Sequence, residues 1–172
     1  MTAVLPTLDI ILDLHHPRAA VATESDWQLW FQGWAQHMAL TGSPIHAYEL
    51  TLQLTSDTAI ADLNQTFRQV NGPTDVLAFA ALENPSPLSA ALLDSEPLYL
   101  GDIVISFDTA ERQAQAGGHS LVWEVAWLAA HGFLHLIGWD HPDPTSLATM
   151  LAKQQELLTM GNLSPTAHPC PD

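Results

Sequence analysis

Apolar positions along the chain alternate between strand-like and helix-like spacing. Residues 8–14 read Leu-Asp-Ile-Ile-Leu-Asp-Leu, a short apolar run with some alternation, and predict a strand. Ser25 opens a helix, with Gln28 three residues on as its capping-box partner. Trp27, Trp30, Phe31, Trp34 and Met38 share one face at helical spacing, and Gly42 ends the element. Such a stripe could serve as a stacking platform for nucleobases. An amphipathic helix turned into a core shows the same pattern, and that is the expectation here.

Tyr48 to Leu54 alternates Tyr-Glu-Leu-Thr-Leu-Gln-Leu, the signature of a half-buried strand. Ser56 caps a second helix whose buried side is Ile60, Leu63 and Phe67, and Asn71-Gly72-Pro73 stops it. Val76 to Phe79 forms a third short strand. Residues 83–97, with Pro85, Pro87 and Pro97, form a loop. Tyr99 to Ser106 is a fourth strand, followed by a helix from Phe107 to Ala116 that Gly117-Gly118 terminates. Ser120 starts a longer helix that runs to Ile137 and stops at Gly138. Leu121, Val122, Val125, Trp127, Leu128, Leu134 and Leu136 make it apolar almost all round, so it belongs in the centre of a domain. A last amphipathic helix runs from about Thr145 to Met160. This order predicts an α+β fold. A small mixed four-stranded sheet packs against about five helices in one domain, residues 1–161. Residues 162–172, with three prolines, are expected to be a disordered tail.

Composition narrows the function. Apolar residues make up 47% of 172, too many for a disordered chain. Nineteen acidic residues face four basic ones, for a formal charge of −15. Arg18, Arg68, Arg112 and Lys153 cannot form a broad basic face for duplex nucleic acid, which needs many phosphate-neutralising charges. The same count disfavours an anionic membrane surface, and no run of eighteen apolar residues spans a bilayer. The single cysteine, Cys170, allows no intramolecular disulfide. The first seventeen residues carry no Lys or Arg, so no charged secretory n-region is visible. A cytoplasmic location is the expectation. Nine histidines outnumber all Lys and Arg together.

Three of those histidines form a pattern. His131 and His135 are four apart on the buried helix and project from one face. Gly138 lets the chain reverse, so His141 can return to the same point. Three imidazoles leave a fourth tetrahedral position for water, the arrangement of a catalytic zinc. A His₃ site also suits nickel or iron. Histidines inside an apolar helix need partners for their ring nitrogens, and a metal supplies one to each. The other six histidines show no ligand spacing. Metzincin metalloproteases share the offsets of zero, four and ten, but carry a catalytic Glu directly after the first His. Gly132 stands there, which argues against peptide hydrolysis. Two carboxylates lie near in sequence, Asp140 and Glu124. Glu124 either orients a ligand from behind or favours the helix dipole at the first turn. Arg68 is open to two readings: a phosphate-gripping group, or a cation suited to a helix C-terminus.

Residues 131–141 resemble the signature His-Gly-x-Leu-His-Leu-x-Gly-x-Asp-His of the bacterial YbeY endoribonucleases and match every fixed position. Leu63-Asn64 with Phe67-Arg68, Pro73-Thr74-Asp75-Val76-Leu77, Gly101-Asp102-Ile103-Val104-Ile105-Ser106, Met150 and Glu156 resemble further segments of that family, in the same order. Ala78 and Ala80 depart from its usual Ser and Pro. The resemblance implies zinc-dependent cleavage of single-stranded rRNA, in 16S rRNA 3′-end maturation and ribosome quality control. It implies His131, His135 and His141 as metal ligands and Arg68 as the catalytic or phosphate-binding arginine. Its implied partners are the small ribosomal subunit, its proteins and a ribosome-associated GTPase. Two alternatives stand beside it. One is a zinc-containing ribosome-assembly factor that mainly binds, motivated by the acidic charge and the lack of an evident general base. The other is a metal-dependent hydrolase of a different substrate.

Overall fold

The computed structural model describes residues 2–83 and 94–166. Most of the expected loop at 83–97, and residues 167–172 of the expected tail, lie outside the described residues. Four strands, β1 (Thr7–Leu14), β2 (Ala47–Thr55), β3 (Val76–Ala80) and β4 (Leu98–Ser106), form one sheet in the order β1-β2-β4-β3. β1, β2 and β4 are parallel, and β3 runs antiparallel to β4 at the edge. Five α-helices are present among the described residues: α1 (Glu24–His37), α2 (Asp57–Arg68), α3 (Phe107–Gly117), α4 (Leu121–Leu136) and α5 (Pro144–Met160). The α+β class and the mixed sheet match the expectation. None of these helices is long and apolar enough to cross a membrane.

The register explains the core. Leu8 pairs with Tyr48, Ile10 with Leu50, Leu52 with Ile103 and Leu54 with Ile105. Because side chains alternate across a strand, these residues share one face of the sheet. All are buried there with Trp27, Phe31 and Trp34 of α1 and Phe133 of α4. The aromatic stripe of α1 is therefore core rather than a stacking platform. A second, smaller cluster of Ile60, Leu77 and Val104 lies under α2 on the opposite face.

Several expected details change. The first helix is capped by Thr23, which forms a capping box with Asp26, and it ends at His37 rather than Gly42. Gln28 does not cap. Its amide oxygen accepts from Ile10 N, and its amide nitrogen donates to the Leu8 carbonyl. Gln32 does the same for Leu8 N and the Pro6 carbonyl. Together they satisfy open backbone groups of edge strand β1, which would otherwise invite pairing with another chain. In α2, Asn64 is buried while Phe67 is 63% exposed, because α2 covers only part of its side of the sheet. The chain beyond α5 is held for a few residues: Leu163 packs on the core, and Ser120 N donates to the Pro165 carbonyl.

Candidate metal centre

α4 carries the site because it is the most apolar helix and sits against the sheet. Ala129, Ala130, Gly132, Phe133 and Leu134 are buried, while His131 and His135 face a cleft and are half-buried. Their rings stand 4.6 Å apart, one turn above the other, with the two Nε2 atoms 3.0 Å apart. After Leu136 the chain reverses. Gly138 takes φ +101°, a conformation costly for any residue with a side chain. Gly138 N donates to the His135 carbonyl and Trp139 N to the Leu134 carbonyl, closing the helix end. Asp140 Oδ1 then accepts from His141 N at 2.8 Å, fixing the turn that brings the His141 ring to 5.3 Å from each of the other two.

The donor set fits a metal ion. One ring nitrogen from each of the three histidines lies within 4.8 Å of the others. Imidazoles on a tetrahedral ion with bonds of ~2.0–2.1 Å have their nitrogens about 3.3 Å apart, close to the His131–His135 spacing. The tautomer of His131 is also set. Gln154, fully buried on α5, donates its amide N–H to the Trp127 carbonyl at 3.2 Å, which orients its oxygen towards His131. His131 Nδ1–H donates to that oxygen at 3.0 Å. A single ring proton on Nδ1 leaves Nε2 with its lone pair, facing His135 Nε2 across the cleft. Burial holds both His131 and His135 below the ordinary imidazole range, which keeps them neutral and able to ligate. Gln154 is a supporting residue that spacing could not reveal, since it lies 23 residues from His131 on another helix. Replacing it with leucine is expected to weaken metal affinity ~10–100-fold without unfolding the chain. Metal titration against a competing chelator, with circular dichroism as the fold control, measures this.

The histidines open into a cavity of about 360 Å³ whose other walls include Arg68, Thr74, Asp75 and Asp140. Arg68 is the last residue of α2. Arg18 pairs with Glu111, Arg112 with Asp57 and Lys153 with Glu156. Of the four Lys and Arg side chains, Arg68 alone has no carboxylate partner among the described residues. The cavity thus combines three imidazoles with a guanidinium that has no carboxylate partner among the described residues. Asp75 faces it with both oxygens engaged: Oδ1 accepts from Val76 N at 2.8 Å, and Oδ2 from Gln113 Nε2 at 3.2 Å.

Two sequence expectations are resolved by contacts. Glu124 does not support a histidine of the triad. It pairs with His119, and burial pushes its carboxyl up while that pairing pulls it back. Asp140 acts by shaping the turn before His141. Gly132 has a packing cause. A Cβ built there would lie 2.6 Å from Ile103 Cγ2, so α4 can sit this close to β4 only without a side chain at that position. The glutamate of the metzincin pattern has no room in this fold.

The family model described as Endoribonuclease YbeY matches residues 14–162. A Synechocystis protein named Endoribonuclease YbeY is 54% identical over 139 residues, covering 81% of this chain and 78% of its own. A Cyanothece protein of the same name is 56% identical over 138 residues, covering 80% of each. The chain belongs to the YbeY family. A Picosynechococcus YbeY, 46% identical over 152 residues, extends the match to 88% of this chain and 90% of its own. The solution structure of TM1509 from Thermotoga maritima superposes with a TM-score of 0.57 at 22% identity, covering 95% of this chain and all of that one. That likeness shows the fold. The match to the YbeY model takes in every residue of the cavity named above.

Proposed function

We propose that the chain is a metal-dependent endoribonuclease that cuts single-stranded RNA. The observation that carries this is the cavity itself, where the His131, His135 and His141 nitrogens converge beside Arg68, the one Lys or Arg without an acidic partner among the described residues. The YbeY relatives supply the substrate class through their name. Zinc is the proposed ion, held by the three histidines. When bound, it supplies a Lewis acid for a phosphoryl oxygen and an activated water. Arg68 grips the phosphate through paired N–H donors and balances the charge that develops on its oxygens. Gln154 keeps the His131 lone pair aimed into the cleft, and the Gly138 turn keeps His141 in place. With only four basic residues, the protein has no broad electrostatic grip on a duplex, which suits a single-stranded substrate.

The family setting supports finer proposals. The substrate is ribosomal RNA, in 16S rRNA 3′-end maturation and ribosome quality control. The partners are the small ribosomal subunit, its proteins and a ribosome-associated GTPase. The location is cytoplasmic, and the unit of residues 1–161 carries the activity. Delivery by basic ribosomal proteins would offset the weak electrostatic capture that a charge of −15 imposes. The test uses a labelled single-stranded RNA and its duplex. The full chain is expected to cut the single strand, to stop on chelation and to recover when zinc is added. Cleavage that survives both chelation and replacement of all three histidines would sink the proposal.

A further inference from the structure

Helical spacing places Phe67 on the buried side of α2, yet its ring is 63% exposed. It meets Phe79 edge-on, with ring centroids 5.2 Å apart. With Leu63 and Val104 these rings line an open hollow of about 360 Å³, and Gln53 and Asp102 add polar groups to its wall. Phe79 packs against the Ile60, Leu77 and Val104 cluster, so this aromatic surface has a fixed base. Asp102 Oδ1 accepts the Tyr99 hydroxyl proton at 2.7 Å, which holds that carboxylate in position. An apolar surface with hydrogen-bonding groups at its side suits a flat heterocycle better than a purely aliphatic ligand.

The hollow adjoins the histidine cavity through two covalent neighbours. Phe67 precedes Arg68 and Phe79 follows Ala78, and both Arg68 and Ala78 line that cavity. β3 turns Ala78 and Phe79 to opposite faces, and it is the edge strand of the sheet. Among the described residues, no further strand lies between the two hollows on that side. In a polynucleotide each base is joined through one ribose to the phosphates on either side of it. A strand that sets a phosphate on Arg68 therefore brings a base within reach of the neighbouring aromatic ring. Every base has a π-face, so an exposed aromatic holds bases with little regard to sequence.

We propose that Phe67 and Phe79 form a stacking subsite for one unpaired nucleobase, next to the phosphate held at Arg68. This rests on reading the histidine cavity as an RNA-cleaving site. It also gives the single-strand preference a physical cause, because a base within a duplex already has both faces stacked.

The test is equilibrium binding in excess chelator, which stops cleavage, read by fluorescence anisotropy of a short labelled single-stranded RNA titrated with the full chain. Phe67→Ala is expected to weaken binding about tenfold with an unchanged salt slope, and Phe67→Trp to restore it. Arg68→Ala is expected to lower the salt slope by about one instead. An abasic residue scanned along the RNA is expected to cost wild type about tenfold at one position and to cost Phe67→Ala nothing further there. The subsite is overturned if Phe67→Ala binds within about twofold of wild type, or if the abasic loss and the Phe67 loss simply add. It is overturned too if Phe67→Ala binds RNA normally but loses a ribosomal protein, which would make the hollow a protein dock. Because binding is read without cleavage, these outcomes are distinguishable from a failure of the nuclease reading, which would show as cleavage surviving loss of the histidines.

Discussion

His135→Ala is expected to reduce RNA cleavage to background while the chain keeps its fold. His135 supplies one of three converging nitrogens, and its loss leaves only two of those donors for an ion. The loss of metal affinity should exceed the ~10–100-fold that a missing supporting hydrogen bond costs. Alanine is the best helix former, and the position is only half-buried, so α4 should persist. Metal content of the purified variant, measured beside its cleavage rate and circular dichroism, decides the matter. Wild-type metal content in His135→Ala would contradict the assignment. The same residue has a pH signature in metal-free protein. Burial lowers the His131 and His135 pKa values in the folded state. Between those lowered values and the unfolded value of about 6.5, the unfolded chain binds more protons. Metal-free stability should therefore fall as pH drops below about 6.5. In His135→Ala that acid-side loss should be smaller, and thermal melts between neutral and mildly acid pH show it.

Arg68→Ala is expected to lower the rate of cleavage ~10²–10³-fold, the range found when one stabilising donor is removed from a developing oxyanion. Metal content should be unchanged, because the three converging donor atoms come from the histidines and not from Arg68. Stability should change little. The residue is exposed in the last turn of α2, and the lost dipole interaction is worth about 0.3–1 kcal/mol. Arg68→Lys should recover only part of the rate, since an ammonium cannot present two parallel donors to a phosphate. Single-turnover cleavage at saturating RNA separates this effect from weaker binding. A full rate in Arg68→Ala at saturation would reduce the residue to a binding role.

The histidine triad was legible before any fold was known, because its geometry is local. Two histidines four apart on a helix must share a face, and a glycine three residues past the second permits the reversal that returns His141. Core strands were equally legible from alternation, since one face of each must be buried. Legibility failed wherever a residue's role depends on what packs against it from afar. Phe67 has the spacing of a core residue, but α2 shields only part of the sheet, so its ring lies open. Glu124 has the spacing of a supporting carboxylate, but His119 captures it. Gln154 carries no motif and becomes important only because α5 lies against α4.

Local chemistry along the chain therefore determined the histidine triad, the buried helix that carries its first two members and the absence of a basic face. Tertiary packing decided the rest. It set the His131 tautomer through Gln154 and left Arg68 as the cation without a carboxylate partner among the described residues. It also brought α4 so near Ile103 that position 132 must be glycine. The division follows from range. Backbone periodicity acts over a few residues and can be read from the chain, whereas hydrogen-bond partners and steric room are properties of neighbours brought together only when the chain folds.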